Sequence, residues 1–360
     1  MQHDERREKL EKILGGLMKS ETGADLLKGI MEGLGHRLMP RVEFMSLPEV
    51  TDPARLQAAR HAVILDTETT GLDPRTDKVI QLSMLRVSYD DQGILSIGSI
   101  FDELHDPGFP ICPKTTEIHG ITDEMVAGKS ITADQIRAFC DGCDAVIAHN
   151  AEFDRKFVEA CYPDAGFQKM DWHCSMSQID WKERGFGKTS LEMLSLASGF
   201  VYDAHNARSD ILATAFVLAR PDPRTGITPL AEMLEEASAG PRHIFAVRSP
   251  FESKDDLKER GYRWADEKNP VQGFSKVWHK VVSGRPEVLS EEAEFLEGIY
   301  GRTVSLPVRI HDPKTRYSDR PAQVAPDFST RETLELRERL DMAAESEPDG
   351  FVSARSTLGF

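Results

Sequence analysis

Two carboxylates stand two residues apart in the stretch His61-Ala-Val-Ile-Leu-Asp-Thr-Glu-Thr-Thr-Gly-Leu72. The apolar run Ala62 to Leu65 predicts a buried strand, and strand side chains at i and i+2 project from one face. Asp66 and Glu68 therefore point the same way at the strand end, where burial is costly and like charges repel. A hard divalent cation such as Mg²⁺ or Mn²⁺ would remove that repulsion. A lone pair of this kind would more simply be a polar strand end facing solvent. The pair is not alone. Ala145-Val-Ile-Ala-His-Asn-Ala-Glu-Phe-Asp154 again ends an apolar strand and places Asp154 on the first turn of a helix, where the helix dipole by itself would also favour an acid. A third segment, Asp203-Ala-His-Asn-Ala-Arg-Ser-Asp210, separates His205 from Asp210 by five residues. Five residues along one helix turn through about 140°. The two converge only if His205 lies on the loop before the helix and Asp210 lies inside it.

The elements that must position these residues follow from periodicity. Strands are predicted at 61–67, 78–88, 94–103 and 144–149, with a turn at Tyr89 to Gly93. Helices are predicted near 133–141, from 151, at 189–198 and at 206–219. Early hairpins followed by strand–helix alternation imply an α/β fold, a mixed sheet flanked by helices. Residues 1–58 read as an N-terminal arm with two amphipathic helices in 1–39. Residues 59–220 read as the principal domain, and 221–242 as a breaker-rich linker with a helix near 229–238. Residues 243–320 read as a small α+β module extended by a helix at 289–299 and a strand at 303–310, and 321–360 as an acidic, disordered tail with one helix near 331–344.

Composition bounds the function. The chain has 360 residues and a formal net charge of −16, part of it in the tail, which argues against a nonspecific polyanion binder. Within 243–283, eight Lys/Arg oppose six acids, interleaved with Phe245, Phe251, Tyr262, Trp264, Phe274 and Trp278. Such a pattern suits either a stacking surface for single strands or a small aromatic core with a basic rim. No apolar run approaches a membrane span, and the charged start lacks a signal peptide. The expected location is the cytoplasm. Five cysteines argue against a disulfide framework. Cys140-Asp-Gly-Cys143 has no second ligand pair, and Gly185-Phe-Gly-Lys-Thr-Ser190 lacks the upstream glycine of a phosphate-binding loop.

DTETTGL, HNAEFD and HNARSD, in that order and spacing, resemble the three motifs of the DEDDh (DnaQ-like) 3′–5′ exonucleases, the family of the polymerase III epsilon subunit and ribonuclease T. Ile118-His-Gly-Ile-Thr122 matches a segment common there. The resemblance covers about 59–220 and implies a ribonuclease H-like fold. It also implies that Asp66, Glu68, Asp154 and Asp210 are ligands of two Mg²⁺ or Mn²⁺ ions, with His205 as general base. An imidazole titrates near neutrality and so suits that role. By the same resemblance Thr67, Thr70, Gly71, Leu72, Asn150 and Phe153 line the terminal-nucleotide pocket. The implied substrates are 3′ ends of single-stranded DNA or RNA, and the implied products nucleoside 5′-monophosphates. A proofreading role docked to a polymerase, or self-association through the N-terminal helices, is the alternative.

Overall fold

A computed structural model describes residues 38–346, with helical side chains through 339. The N-terminal helices expected before residue 38, and the tail beyond 346, lie outside the described residues. No helix among the described residues is long and apolar enough to cross a membrane.

Five strands form the first sheet: β1 (Arg60–Thr69), β2 (Val79–Asp90), β3 (Gly93–Leu104), β4 (Ala145–Ala148) and β5 (Asp171–Cys174). Their order is β3-β2-β1-β4-β5. The first three are antiparallel, whereas β4 and β5 run parallel to β1. Helices on this sheet are α1 (Pro53–Gln57), α2 (Pro113–His119), α3 (Asp123–Val126), α4 (Ala133–Cys140), α5 (Ala151–Cys161), α6 (Leu191–Ser198), α7 (Ala207–Ala219) and α8 (Pro229–Ser238). The architecture is the ribonuclease H-like mixed sheet flanked by helices. Strand alternation divides the core. Ala62 and Ile64 of β1 pack with Ile211 and Ala215 of α7 on one face. Val63 and Leu65 pack with Phe157 and Val158 of α5 on the other.

A second sheet contains β6 (Arg242–Ala246), β7 (Arg263–Ala265), β8 (Val277–Val282), β10 (Val308–Ile310) and β11 (Gln323–Val324), in the order β11-β10-β6-β8-β7. A separate ladder pairs β9 (Ser305–Leu306) with β12 (Phe328–Ser329). Three helices accompany them, α9 (Lys254–Glu259), α10 (Pro286–Tyr300) and α11 (Thr330–Ser346). A buried acid organises much of the basic, aromatic stretch. Glu292, 1% exposed, accepts from the Tyr262 hydroxyl at 2.8 Å, Lys280 Nζ at 2.8 Å and Arg260 Nε at 3.3 Å. Phe245 stacks on Phe274 at 4.2 Å inside the module. Trp264 remains 50% exposed, edge-on to Trp278 at 5.5 Å.

The structure differs from the sequence expectations in three places. Residues 321–329, expected to be disordered, instead form β11 and β12, whereas the helix expected near 331–344 is present as α11. Phe328 is buried there with Leu306, and the Thr330 hydroxyl donates to Glu297 at 2.7 Å. Two anchored residues thus outweigh a Pro-, Ser- and acid-rich composition. The strand expected at 303–310 is two short strands, because Pro307 has no N–H to continue a ladder. Strand β5 and helices α2 and α3 had no clear periodic signal. The outer edge of β5 is covered by residues 311–320. Trp172 N donates to Pro313 O at 2.9 Å, and the buried Arg155 guanidinium donates to the carbonyls of Lys314 at 2.5 Å and Arg316 at 2.6 Å. The strand edge is thereby closed to other chains.

Candidate active site

The site forms where β1 and β4 end together. Leu65 pairs with Ala148, the last residue of β4, so Asp66 and Glu68 extend beyond their parallel neighbour. From β4 the chain turns through His149 and Asn150, the latter left-handed at φ 83°, into α5. That turn delivers Asp154, on the first helical turn, to the same end of the sheet. The α7 helix crosses the opposite face and brings Asp210 to the pair. Single oxygens of Asp66, Glu68 and Asp210 lie within 4.8 Å of one another. Among the described residues these are the group that could hold a metal ion. Asp154 stands outside that close group, 2% exposed, and accepts from the Thr67 hydroxyl at 2.8 Å.

The carboxylates are held at high cost to their charged forms. Burial pushes Asp66 upward, reinforced by the charges of Asp154, Asp210 and Glu68. Burial, with Asp210 and Asp154, raises Glu68 to about 8. Asp154 and Asp210 also rise through burial, opposed in part by Thr67 at Asp154 and by Tyr202 at Asp210. Buried like charges with raised pKa values fit a divalent cation, which would favour the ionised forms of all four.

His205 lies on the loop before α7, and Asp210 lies inside the helix, the arrangement that their spacing required. Asn206 caps α7 through Ser209 N, and its own N–H donates to Asp210 Oδ2 at 3.0 Å. His205 is exposed and adopts a left-handed φ of 61°.

The pocket residues named from resemblance divide. Leu72 projects into solvent, 84% exposed, and Asn150 is exposed at the head of α5. Phe153 is half-buried and packs on Phe157 at 4.8 Å. The other three also have structural duties. Thr67 orients Asp154, and Thr70 Oγ1 donates to Asp77 Oδ1 at 3.1 Å. At Gly71 a Cβ would meet the Asp77 carboxylate at 2.5 Å, so this turn accepts only glycine without moving Asp77.

Sequence reasoning missed several neighbours. Tyr202 hydrogen-bonds Asp210. His119, in the Ile118 to Thr122 segment, has a buried Nε2 with no partner and lies close enough to His205 for its charged form to be disfavoured by it, after burial. His149 is neutralised by burial, down to about 4, and ties Ser175 to the Thr189 carbonyl, each at 2.8 Å. The segment quoted around His119 was the available signal; Tyr202 had none. Cys140 is buried beside Met84, and burial pushes its thiol up to about 12. Among the described residues, neither Cys140 nor Cys143 joins a metal-ligating group.

Residues 63–218 match the model of the RNase_T family, described as exonuclease. Over these residues the chain is similar to the DEDDh, DnaQ-like exonucleases. A DNA polymerase III PolC-type protein of Thermotoga maritima is 30% identical over 192 residues, covering 48% of this chain and 13% of that protein. A DNA polymerase III subunit epsilon-like protein of Rhodobacter capsulatus is 39% identical over 100 residues, covering 27% of this chain and 14% of that protein. A solved structure of E. coli Exonuclease I with a dA16 oligonucleotide aligns over 82% of this chain and 76% of its own, at 14% identity and a TM-score of 0.42. The matched part of each curated relative is thus at most 14% of its length. The DEDDh motifs fall inside the matched region, whereas the second sheet and residues 38–62 fall outside it.

Proposed function

We propose that this protein is a metal-dependent 3′–5′ exonuclease. It hydrolyses phosphodiester bonds at the 3′ ends of single-stranded nucleic acid, DNA in preference to RNA, and releases nucleoside 5′-monophosphates. The observation that carries this reading is the convergence of Asp66, Glu68 and Asp210 within 4.8 Å, with Asp154 electrostatically coupled to them. These four acids would hold two Mg²⁺ or Mn²⁺ ions. When bound, such ions stabilise charge on the attacking and departing oxygens of an in-line displacement.

The chain's own residues do the rest. His205 accepts the proton of the attacking water, and its exposure lets that proton pass on to solvent. Tyr202 and Asn206 N–H orient Asp210, and Thr67 orients Asp154. Leu72 offers an apolar surface to the terminal base or sugar; Phe153 and Asn150 border the same end of the sheet, as do the backbone groups of Thr67, Thr70 and Gly71. A single-stranded oligonucleotide carrying a 5′ label tests the polarity. With Mg²⁺ the label should persist on a ladder of progressively shorter products. Early release of a labelled mono- or dinucleotide would contradict 3′–5′ action. Rates on matched DNA and RNA oligonucleotides measure the sugar preference.

The PolC-type and epsilon-like relatives favour a second reading, a proofreading subunit docked to a DNA polymerase. Co-purification with a polymerase subunit would support it.

The module around the second sheet is proposed to assist in holding the strand. Trp264 is the basis, because an exposed indole beside Trp278 is available for base stacking. Stacking of one base on an aromatic side chain is worth about 1–3 kcal/mol. Trp264→Ala should therefore weaken oligonucleotide binding by about five- to a hundredfold in a fluorescence titration, with single-turnover cleavage at saturation unchanged. Unchanged affinity would confine Trp264 to the protein surface.

A further inference from the structure

Residues 40–43 lie outside the matched exonuclease region, yet they fasten the loop that carries His205. Val42 N donates to Val201 O at 2.9 Å, and Val201 N donates to Pro40 O at 3.0 Å, which forms a parallel bridge between Arg41 and Val201. The Arg41 guanidinium pairs with Asp203, two residues before His205, and with Glu43 at 3.3 Å. Glu43 Oε1 accepts from the Ser209 hydroxyl at 3.1 Å, one residue before Asp210. Val42, 1% exposed, is seated in the core with Phe200 and Ile211, so this short segment is itself anchored.

The loop needs such support. His205 is a non-glycine residue at φ 61°, a conformation that persists only where the surroundings over-determine it. Among the described residues no hydrogen bond holds its imidazole, so the direction of the ring depends on the backbone. That backbone is tied downstream by the Asn206 cap and upstream by the contacts to residues 40–43.

We propose that Pro40–Glu43 is a positioning strap for the exonuclease reaction: it holds residues 201–209 so that His205 faces the Asp66–Glu68–Asp210 group. Arg41 and Glu43 are positioning residues that act through the loop. The proposal rests on the reading of His205 as the base. Misplacement of a catalytic group by about 1 Å can cost about a hundredfold in rate, and loss of one exposed tie among several displaces it by less.

The test uses the full chain and a mutant cycle. Arg41→Ala should slow single-turnover cleavage about five- to tenfold at saturating Mg²⁺, with the oligonucleotide KM and the Mg²⁺ requirement unchanged. In a His205→Ala background the same substitution should cost less than about twofold, because the group it positions is gone. Hydrogen exchange should show faster exchange of the 201–206 amides in Arg41→Ala and in Glu43→Gln, with the β1 and β4 amides still protected. That second measurement needs no activity. A wild-type protein that cleaves no oligonucleotide would defeat the functional reading, and exchange would still decide the strap. Equal losses from Arg41→Ala in both backgrounds would overturn the proposal, as would exchange at 201–206 that matches the wild type.

Discussion

Asp66→Asn should abolish cleavage, by at least about 10³-fold, and should make the metal-free protein more stable. Both effects have one cause. Asp66 belongs to the close carboxylate group, and its charge is opposed by burial and by Asp154, Asp210 and Glu68. The amide keeps the shape of the side chain and removes the charge. A cation then loses a ligand with a full negative charge, and loss of a single preorganised electrostatic group already costs about 10²–10³. Without metal, the same change relieves repulsion among the remaining acids.

The pH dependence follows in sign. An acid whose folded pKa is raised binds protons more tightly when folded, so its contribution to stability is present at low pH and is lost as pH rises through the folded value. For Glu68 that window runs from 4.5 to about 8. In EDTA the wild-type melting temperature should fall across this window, and the fall should be smaller in Asp66→Asn. Mg²⁺ should raise the wild-type melting temperature by mass action and leave that of Asp66→Asn nearly unmoved. Retained Mg²⁺-dependent stabilisation, with activity within tenfold of wild type, would remove Asp66 from the ligand set.

His205→Ala should slow the chemical step by about 10²–10⁴-fold, the range of a general base, while Mg²⁺-dependent stabilisation survives. The contrast with Asp66→Asn is structural. His205 lies outside the close carboxylate group and is exposed on its loop, so its removal leaves the acids in place. Higher pH should recover part of the rate, since more abundant hydroxide substitutes for the missing base. It should recover nothing in Asp66→Asn. Single-turnover rates between pH 6 and 9, measured on one oligonucleotide, separate the two variants. Wild-type rates for His205→Ala at neutral pH would show that the proton leaves by another route.

The local logic of the site was legible before any tertiary contact was known. A strand has a period of two, so Asp66 and Glu68 share a face wherever that strand lies. The spacing of His205 and Asp210 allowed convergence only across a loop–helix boundary, and Asn206 as the cap places that boundary between them. Tertiary structure decided which features serve the site and which serve the fold. Thr67 and Thr70, pocket residues by resemblance, also bond Asp154 and Asp77 through their hydroxyls, which no spacing in the sequence indicates. The basic, aromatic stretch suited either a stacking surface or a small core with a basic rim; the buried Glu292 draws Arg260, Tyr262 and Lys280 to itself and leaves Trp264 outside. The tail read as disordered because composition reports average polarity, whereas Phe328 and Thr330 find partners more than twenty residues earlier in the chain. Arg41 and Glu43 lie more than 160 residues from Asp203 and Ser209. Contacts at that separation leave no period in the sequence, since they depend on how β1 and α7 pack rather than on the repeat of either element.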